Sequence, residues 1–393
     1  MSADLMPLRY AVVGAGMMGV EHIHALKSLR ATEVVALCDP HAPSIASALA
    51  ALTGQHGRGA AGNAPQPRVY DDVTSLVKEG GFDVAVVATP NFTHRAVVEP
   101  LMHHGAHLLI EKPLCITTRE CRELIAIEQA TARLGRVVWT GLEYRYMPTI
   151  AALLQQLHGG AVGNLRMFSV REHRFPFLVK VGNWNRFSRN TGGTLVEKCC
   201  HFFDLMNLAV GARPVRVAAF GTSAVMRVVQ PEHQVNDHAT VSFEYDNGTL
   251  GSLQICLFGR DFPHEDLELG VVGEAGSLQT RISTVDILQW RRGSGQKEPI
   301  VHHIESPAGE GWGNHLGFDE MHAAFLDVRA GDVHLDAGDR AVVEAARHLD
   351  VFLDGAARDI GEELRLAGIE TGQDVPDHMV HARVLQADGV DHP

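Results

Sequence analysis

Tyr10-Ala11-Val12-Val13-Gly14-Ala15-Gly16-Met17-Met18-Gly19 reads as a short apolar strand, a Gly-x-Gly-x-x-Gly turn and the opening of a helix. Gly14 permits the tight turn, Gly16 lets backbone approach a pyrophosphate, and Gly19 lets helix and strand pack closely. The helix start, at Met17 and Met18, offers unpaired N–H groups and a positive dipole end to phosphates. About 20 residues on, Asp39 ends the next strand, where a carboxylate takes the ribose hydroxyls of a dinucleotide. Its charge would repel a 2′-phosphate, and no Arg or Lys follows closely. The expected cofactor is therefore NAD in preference to NADP.

Outward from this turn, strand and helix patterns alternate. Apolar runs at 9–13, 33–38, 82–88, 106–110 and 136–140, with a shorter one near Val69, are separated by helical spacings such as Val20, Ile23, Leu26 and Leu29. Thr117-x-x-Glu120 has the form of a capping box. The alternation predicts a doubly wound parallel sheet over 1–140, a Rossmann-type α/β domain. The stretch 54–68, rich in Gly, Ala and Pro, is expected to be an inserted loop. Beyond Gly141 the pattern changes. Pro148 opens a short helix, an apolar helix is expected over 195–210, and successive strands follow from Val215, with Asp246-Asn247-Gly248 as a hairpin turn. This predicts an α+β second domain with a mainly antiparallel sheet over 141–360. Helices near 318–329 and 339–353 close it, and a weakly patterned tail occupies 361–393.

The chain has 393 residues, 45% of them hydrophobic and 21% charged, with a formal net charge of −13. Such a balance disfavours nucleic acid and anionic membrane surfaces as partners. No apolar run is long enough to span a bilayer, and the first apolar stretch reads as a strand and not a signal peptide. Six cysteines without a Cys-x-x-Cys pair suggest reduced core thiols in a cytoplasmic protein.

Three further stretches carry chemistry. Thr89-Pro90-Asn91 and Glu111-Lys112-Pro113 each follow a parallel strand, on the sheet edge where α/β proteins bind ligands. A lysine at that edge can stabilise alkoxide character on a substrate oxygen. In the apolar helix, Glu197, His201 and Asp204 fall at i, i+4 and i+7 and share one stripe. Buried polar side chains need partners or a function. His201 suits proton removal near neutral pH, and Glu197 is placed to orient it. Cys199-Cys200 point to different sides of a helix, so no metal is expected. Together these features predict a hydride-transfer enzyme with a Lys/His pair. Tyr144, Arg145, His173, Arg174, Trp184 and Asn185 are candidate contacts to a polyol.

In this set and order the motifs resemble the glucose–fructose oxidoreductase / inositol dehydrogenase / MocA-like (Gfo/Idh/MocA) family. The matching elements are Gly14–Gly19, Ala88-Thr89-Pro90-Asn91 with His94, Glu111-Lys112-Pro113, and Gly192-Gly193 leading to Glu197-x-x-x-His201-x-x-Asp204; the Phe318-Asp319-Glu320…Phe325…Gly331 stretch is similar to its C-terminal helix. The resemblance implies a Rossmann domain followed by an open-faced, mainly antiparallel sheet, often used for dimerisation, hence a homodimer or homotetramer. It implies NAD(P)-dependent oxidation or reduction of sugars, polyols or inositols, with Lys112 catalytic and His201 the acid/base. Glu197 stands where the family commonly has Asp. Trp184-Asn185-Arg186 is the nearest match to a family Trp-Arg pair, which places Trp184 and Arg186 with Thr89, Pro90, Asn91, His94, Glu111 and Lys112 around the cofactor. A glycosidase working by transient oxidation, or a non-catalytic sugar and dinucleotide sensor, are the alternatives it leaves open.

Overall fold

The computed structural model describes residues 7–29, 31–53, 66–229, 234–262, 265–305 and 317–330. Most of the expected loop at 54–68, the helix near 339–353 and the tail lie outside the described residues.

Strands β1 (Leu8–Val13), β2 (Thr32–Cys38), β3 (Arg68–Tyr70), β4 (Val84–Val87), β5 (His107–Glu111) and β6 (Val138–Gly141) form one sheet in the order β3-β2-β1-β4-β5-β6. Every pair is parallel. Helices cover both faces, which is why the central strands are apolar without alternation: all four residues of β4 are buried. The helices are α1 (Met17–Ser28), α2 (Ala42–Thr53), α3 (Val73–Glu79), α4 (His94–His104) and α5 (Thr118–Thr131). Thr117 caps α5 by accepting from the Glu120 N–H at 3.3 Å, and its hydroxyl donates to the Glu120 carboxylate at 3.0 Å.

The strand order reverses between β1 and β4, and this crevice receives the glycine turn. Gly14 has φ +90, and a Cβ there would lie 2.5 Å from the Ala88 carbonyl. A Cβ on Gly19 would stand 2.1 Å from the Gly14 carbonyl oxygen, whereas one on Gly16 would meet no atom within 4 Å. Gly14 and Gly19 are thus required by the protein's own packing, and Gly16 borders open space.

The second half begins with a 3-10 turn, Glu143–Tyr146, and α6 (Pro148–His158), which has Pro at its first turn. It continues through β7 (Leu165–Arg174), α7 (Ser188–Thr191), α8 (Thr194–Glu197), α9 (Cys200–Val210), β8 (Pro214–Thr222), α10 (Met226–Val229), β9 (His238–Tyr245), β10 (Leu250–Cys256), β11 (Glu265–Gly273), β12 (Gly276–Arg281), β13 (Asp286–Arg291) and β14 (Ile300–His303). These strands form an eight-stranded sheet, β14-β13-β12-β11-β7-β10-β9-β8. Only the β7–β10 pair is parallel. One face packs Phe168, Val170, Val241 and Leu253 against Phe202, Phe203 and Met206 of α9 and Ile150 and Leu153 of α6. The other face is open, with Met167, Leu250 and Val272 exposed.

Two features depart from the sequence reading. The helix expected over 195–210 is two helices, interrupted at Lys198 and Cys199. The physical reason is the inward turn of Lys198, whose ammonium donates to the Tyr144 hydroxyl at 2.6 Å and lies 3.0 Å from the Glu172 carboxylate. Glu197 therefore lies on a separate helix from His201 and Asp204, which remain three residues apart on α9. Second, α11 (Phe318–Ala330) returns to the first domain, where Phe318, Met321 and Phe325 pack on Tyr10, Leu26 and Trp139.

The glycine turn yields a paired test. Gly19→Ala should cost about 1–3 kcal/mol of stability through overpacking. Gly16→Ala should change stability by less than about 0.5 kcal/mol yet weaken NAD binding. Thermal melts and NAD titrations read both; a Gly19→Ala protein as stable as the parent would rule out the close approach.

Candidate active site

A cleft of about 1020 Å³ runs along the carboxyl edge of the parallel sheet. Its walls include Gly14 to Met18, Asp39, Thr89 to Asn91, Glu111 and Lys112 from the first domain, and Lys180, Trp184 and Glu197 from the second. The residues fit a dinucleotide. Gly16, the N-cap of α1, makes no side-chain cap bond and leaves the first-turn N–H groups facing open space. The Asp39 carboxylate is held rigidly by the Ala15 and His41 N–H groups, both at 2.8 Å, and a carboxylate has lone pairs left for ribose hydroxyls. Asp71 and Asp72 line the same end of the cleft, with no Arg or Lys beside them.

At the other end the two domains meet. The Lys112 ammonium donates to the Glu197 main-chain carbonyl at 3.2 Å. That carbonyl ends α8, where helix carbonyls lack intrahelical partners. Burial opposes the charge on Lys112, but Glu197, Cys200, Glu143 and Glu111 outweigh it and hold the ammonium above its ordinary range. These neighbours favour the charged form of Lys112.

Asn91 starts a 3-10 turn, Asn91–Thr93, and its amide donates to the Glu197 carboxylate. Glu197 thus does not orient His201, as the sequence spacing had implied. The carboxylate facing His201 is Glu143, with Oε1 3.5 Å from Nε2. His201 is 1% exposed, its ring stacks on Tyr144 at 4.2 Å, and its Nδ1 has no protein partner. Burial, then the charges of Lys112, Lys198 and Arg174, push its pKa well below the usual value, so the imidazole is neutral at pH 7. Glu143 is shifted the opposite way. Burial and the nearby Glu111 raise it to about 8, against the pull of Lys112.

The remaining candidates form a buried layer of supports around His201 or lie elsewhere. Arg145 makes a two-pronged pair with Asp204, at 2.6 and 2.5 Å. Arg174 pairs with Glu265 at 2.8 Å and lies over the rings of Phe175 and Phe177. His173 is on the opposite face of β7 from Glu172 and Arg174, because strand side chains alternate. Asn185 donates to the Leu178 carbonyl, and Arg186 is buried. His94 binds the carbonyls of Thr89, Pro113 and Leu114, so it ties the two cofactor-edge turns together without lining the cleft. Trp184 does line it. Glu143, Glu172, Lys180 and Lys198 were not singled out in the sequence; a carboxylate one residue before the expected Tyr144 was the only local hint. Among the described residues no cluster of His, Cys, Asp and Glu is placed to hold a metal ion, and no helix is long and apolar enough to cross a membrane.

Comparison with known proteins agrees with this architecture. Residues 8–141 match the oxidoreductase family's NAD-binding Rossmann fold, and residues 155–332 match its C-terminal alpha/beta domain. Inositol 2-dehydrogenase 1 of Saccharopolyspora erythraea is 26% identical over 305 residues, 76% of this chain and 80% of that protein. Among solved structures, an oxidoreductase domain protein from Kribbella flavida superposes with TM-score 0.74 at 19% identity, covering 90% of this chain and 98% of that one. A levoglucosan dehydrogenase solved with NADH and levoglucosan gives TM-score 0.72 at 18% identity over the same shares, 90% and 98%. With a glycine turn at the switch point, a lysine at the sheet edge and family matches over both domains, the chain belongs to the Gfo/Idh/MocA oxidoreductase family.

Proposed function

We propose that the protein is an NAD-dependent dehydrogenase acting on a secondary alcohol of a sugar, sugar derivative or inositol-like polyol. The observation that carries this reading is the 3.2 Å contact between the Lys112 ammonium and the Glu197 carbonyl. It brings a fixed cation of the cofactor domain to the segment that bears His201. The names of the inositol and levoglucosan dehydrogenases among its relatives support the substrate class.

Bound NAD supplies the hydride acceptor. Lys112 holds the substrate oxygen and stabilises the negative charge that grows on it. His201 takes the hydroxyl proton at its unpartnered Nδ1, a buried nitrogen that otherwise lacks a hydrogen bond. Glu143 controls that step. While protonated, it donates towards Nε2 and leaves the ring proton on Nδ1. Once ionised, it accepts from Nε2–H, frees the Nδ1 lone pair and favours the imidazolium that forms.

An absorbance screen for NADH across sugars, sugar acids and inositols tests the reading. NAD should outperform NADP by at least about fivefold, since one uncompensated charge contact is worth about 1 kcal/mol or more. His201→Ala should lower kcat by about 100-fold or more with little change in NAD affinity; unchanged turnover removes His201 from the chemistry.

The Glu143 assignment predicts the pH dependence. Its folded-state pKa, about 8, lies above its unfolded value near 4.5. Oxidation should therefore accelerate as pH rises through about 8, and Glu143→Gln should flatten that limb. The sign for stability is opposite. Between the two pKa values the folded state binds the extra proton, so stability falls as pH rises. Glu143→Gln should lose that slope in thermal melts; a slope identical to the parent's contradicts the assignment.

We also infer that two copies pair through the open sheet face. Leu250, Met167 and Val272 are exposed and adjacent in register across β10, β7 and β11, an apolar row that association would bury. Sedimentation velocity should show a dimer or tetramer, and Met167→Lys should weaken it; a monomer at all concentrations overturns this.

A further inference from the structure

The segment joining β7 to α7 contributes Lys180 and Trp184 to the cleft wall. Its shape is set by two left-handed residues, Gly182 at φ 65 and Asn183 at φ 54. The Asn183 N–H bonds the Lys180 carbonyl at 2.9 Å, the Asn185 amide holds the Leu178 carbonyl, and the Asn190 amide holds the Trp184 carbonyl. The turn brings the Lys180 ammonium to 5.0 Å from the centre of the Trp184 ring, and that ring meets Phe92 edge-on at 6.3 Å. Lys180 is therefore a positioned side chain.

Its charge is unmatched. The neighbouring cations have partners: Arg145 with Asp204, Arg174 with Glu265, Lys198 with Glu172, and Lys112 with the Glu197 carbonyl. Among the described residues Lys180 has its ring contact and neither a hydrogen bond nor an ion pair. The two nearest cleft-lining carboxylates are engaged, Glu197 by Asn91 and Glu111 by His22. Burial works against the charge of Lys180 and lowers its pKa, and Glu197 only partly restores it. A half-buried ammonium without a counter-ion is costly, and a ligand anion removes that cost. The uncapped start of α1 at Gly16 and Met17 is the natural seat for the cofactor's pyrophosphate.

We propose that Lys180 determines specificity by binding an acidic group of the substrate, so that the preferred substrate is a sugar acid or sugar phosphate and not a neutral polyol. This rests on the dehydrogenase reading and narrows its substrate class. The carboxylate or phosphate would lie between Lys180 and the mouth of the cleft, with the reacting hydroxyl at Lys112.

The test uses the full chain saturated with NADH. D-glucuronate, D-gluconate and glucose 6-phosphate are titrated by calorimetry beside D-glucose and myo-inositol, and all five are assayed for NAD reduction. The acidic probes should bind at least about tenfold tighter than the neutral ones, as a charge-assisted hydrogen bond warrants; carboxylate and phosphate arms show which anion is preferred. In Lys180→Met that preference should collapse to about one, and Lys180→Arg should retain most of it. The proposal is overturned if neutral probes bind as well as acidic ones, if no acidic probe binds, or if Lys180→Met leaves the preference intact. It is equally overturned if Lys180→Met weakens NADH by the same factor, which would make Lys180 a cofactor ligand. Turnover of neutral sugars alone keeps the dehydrogenase and rejects the role of Lys180. Lys180-dependent binding of acids with no turnover of any probe keeps Lys180 and rejects the dehydrogenase.

Discussion

The site depends on one hydrogen bond between domains, from the Lys112 ammonium to the Glu197 carbonyl. A lysine at the end of a parallel strand would ordinarily extend into solvent. Here the second domain closes over it and supplies a neutral acceptor, so the charge is fixed without being cancelled. A carboxylate in that place would have formed an ion pair instead. A main-chain carbonyl orients the ammonium and leaves its other two protons for a ligand.

Around that bond, burial is made tolerable by alternating charge. Glu172 faces Lys198, Asp204 faces Arg145 and Glu265 faces Arg174. Ion pairs like these add little net stability, because desolvation consumes much of the attraction. Removing one member, however, strands the other. The arrangement therefore holds His201 in one place at small thermodynamic gain, with Tyr144 stacked on its ring and Lys198 bonded to the Tyr144 hydroxyl. The electrostatic result is an imidazole biased towards its neutral form and a lysine biased towards its charged form.

The parts legible in the sequence were local. The glycine turn declared itself because Gly14 and Gly19 answer contacts within a few residues or across one strand while Gly16 keeps the turn open, and the parallel sheet because buried strands and helices alternate with short connections. The hairpin at Asp246-Asn247-Gly248 was legible for the same reason, Gly248 taking φ +79. The stripe of Glu197, His201 and Asp204 was misread as one helix face because helical periodicity is blind to Lys198, whose partners Glu172 and Tyr144 come from other elements. His173 and Arg174 could not both face inward once they belonged to a strand. Lys180 and Glu143 carried no pattern at all; their significance is in what the fold places opposite them.

The return of α11 to the first domain bears on the same lysine. His322 of α11 meets His22 of α1 at 2.9 Å, and His22 meets the Glu111 carboxylate at 2.9 Å on its other nitrogen. The second Glu111 oxygen accepts from the Lys112 N–H at 3.0 Å. Burial tends to protonate Glu111, but His22 and Lys112 hold it below its usual range. His22 Nε2 donates to the ionised Glu111 carboxylate, and His22 Nδ1 shares a hydrogen with His322 Nε2. A helix far along the chain thereby helps to fix the backbone from which Lys112 projects. The cofactor helix, the lysine strand and α11 share a single polar joint within an otherwise apolar core.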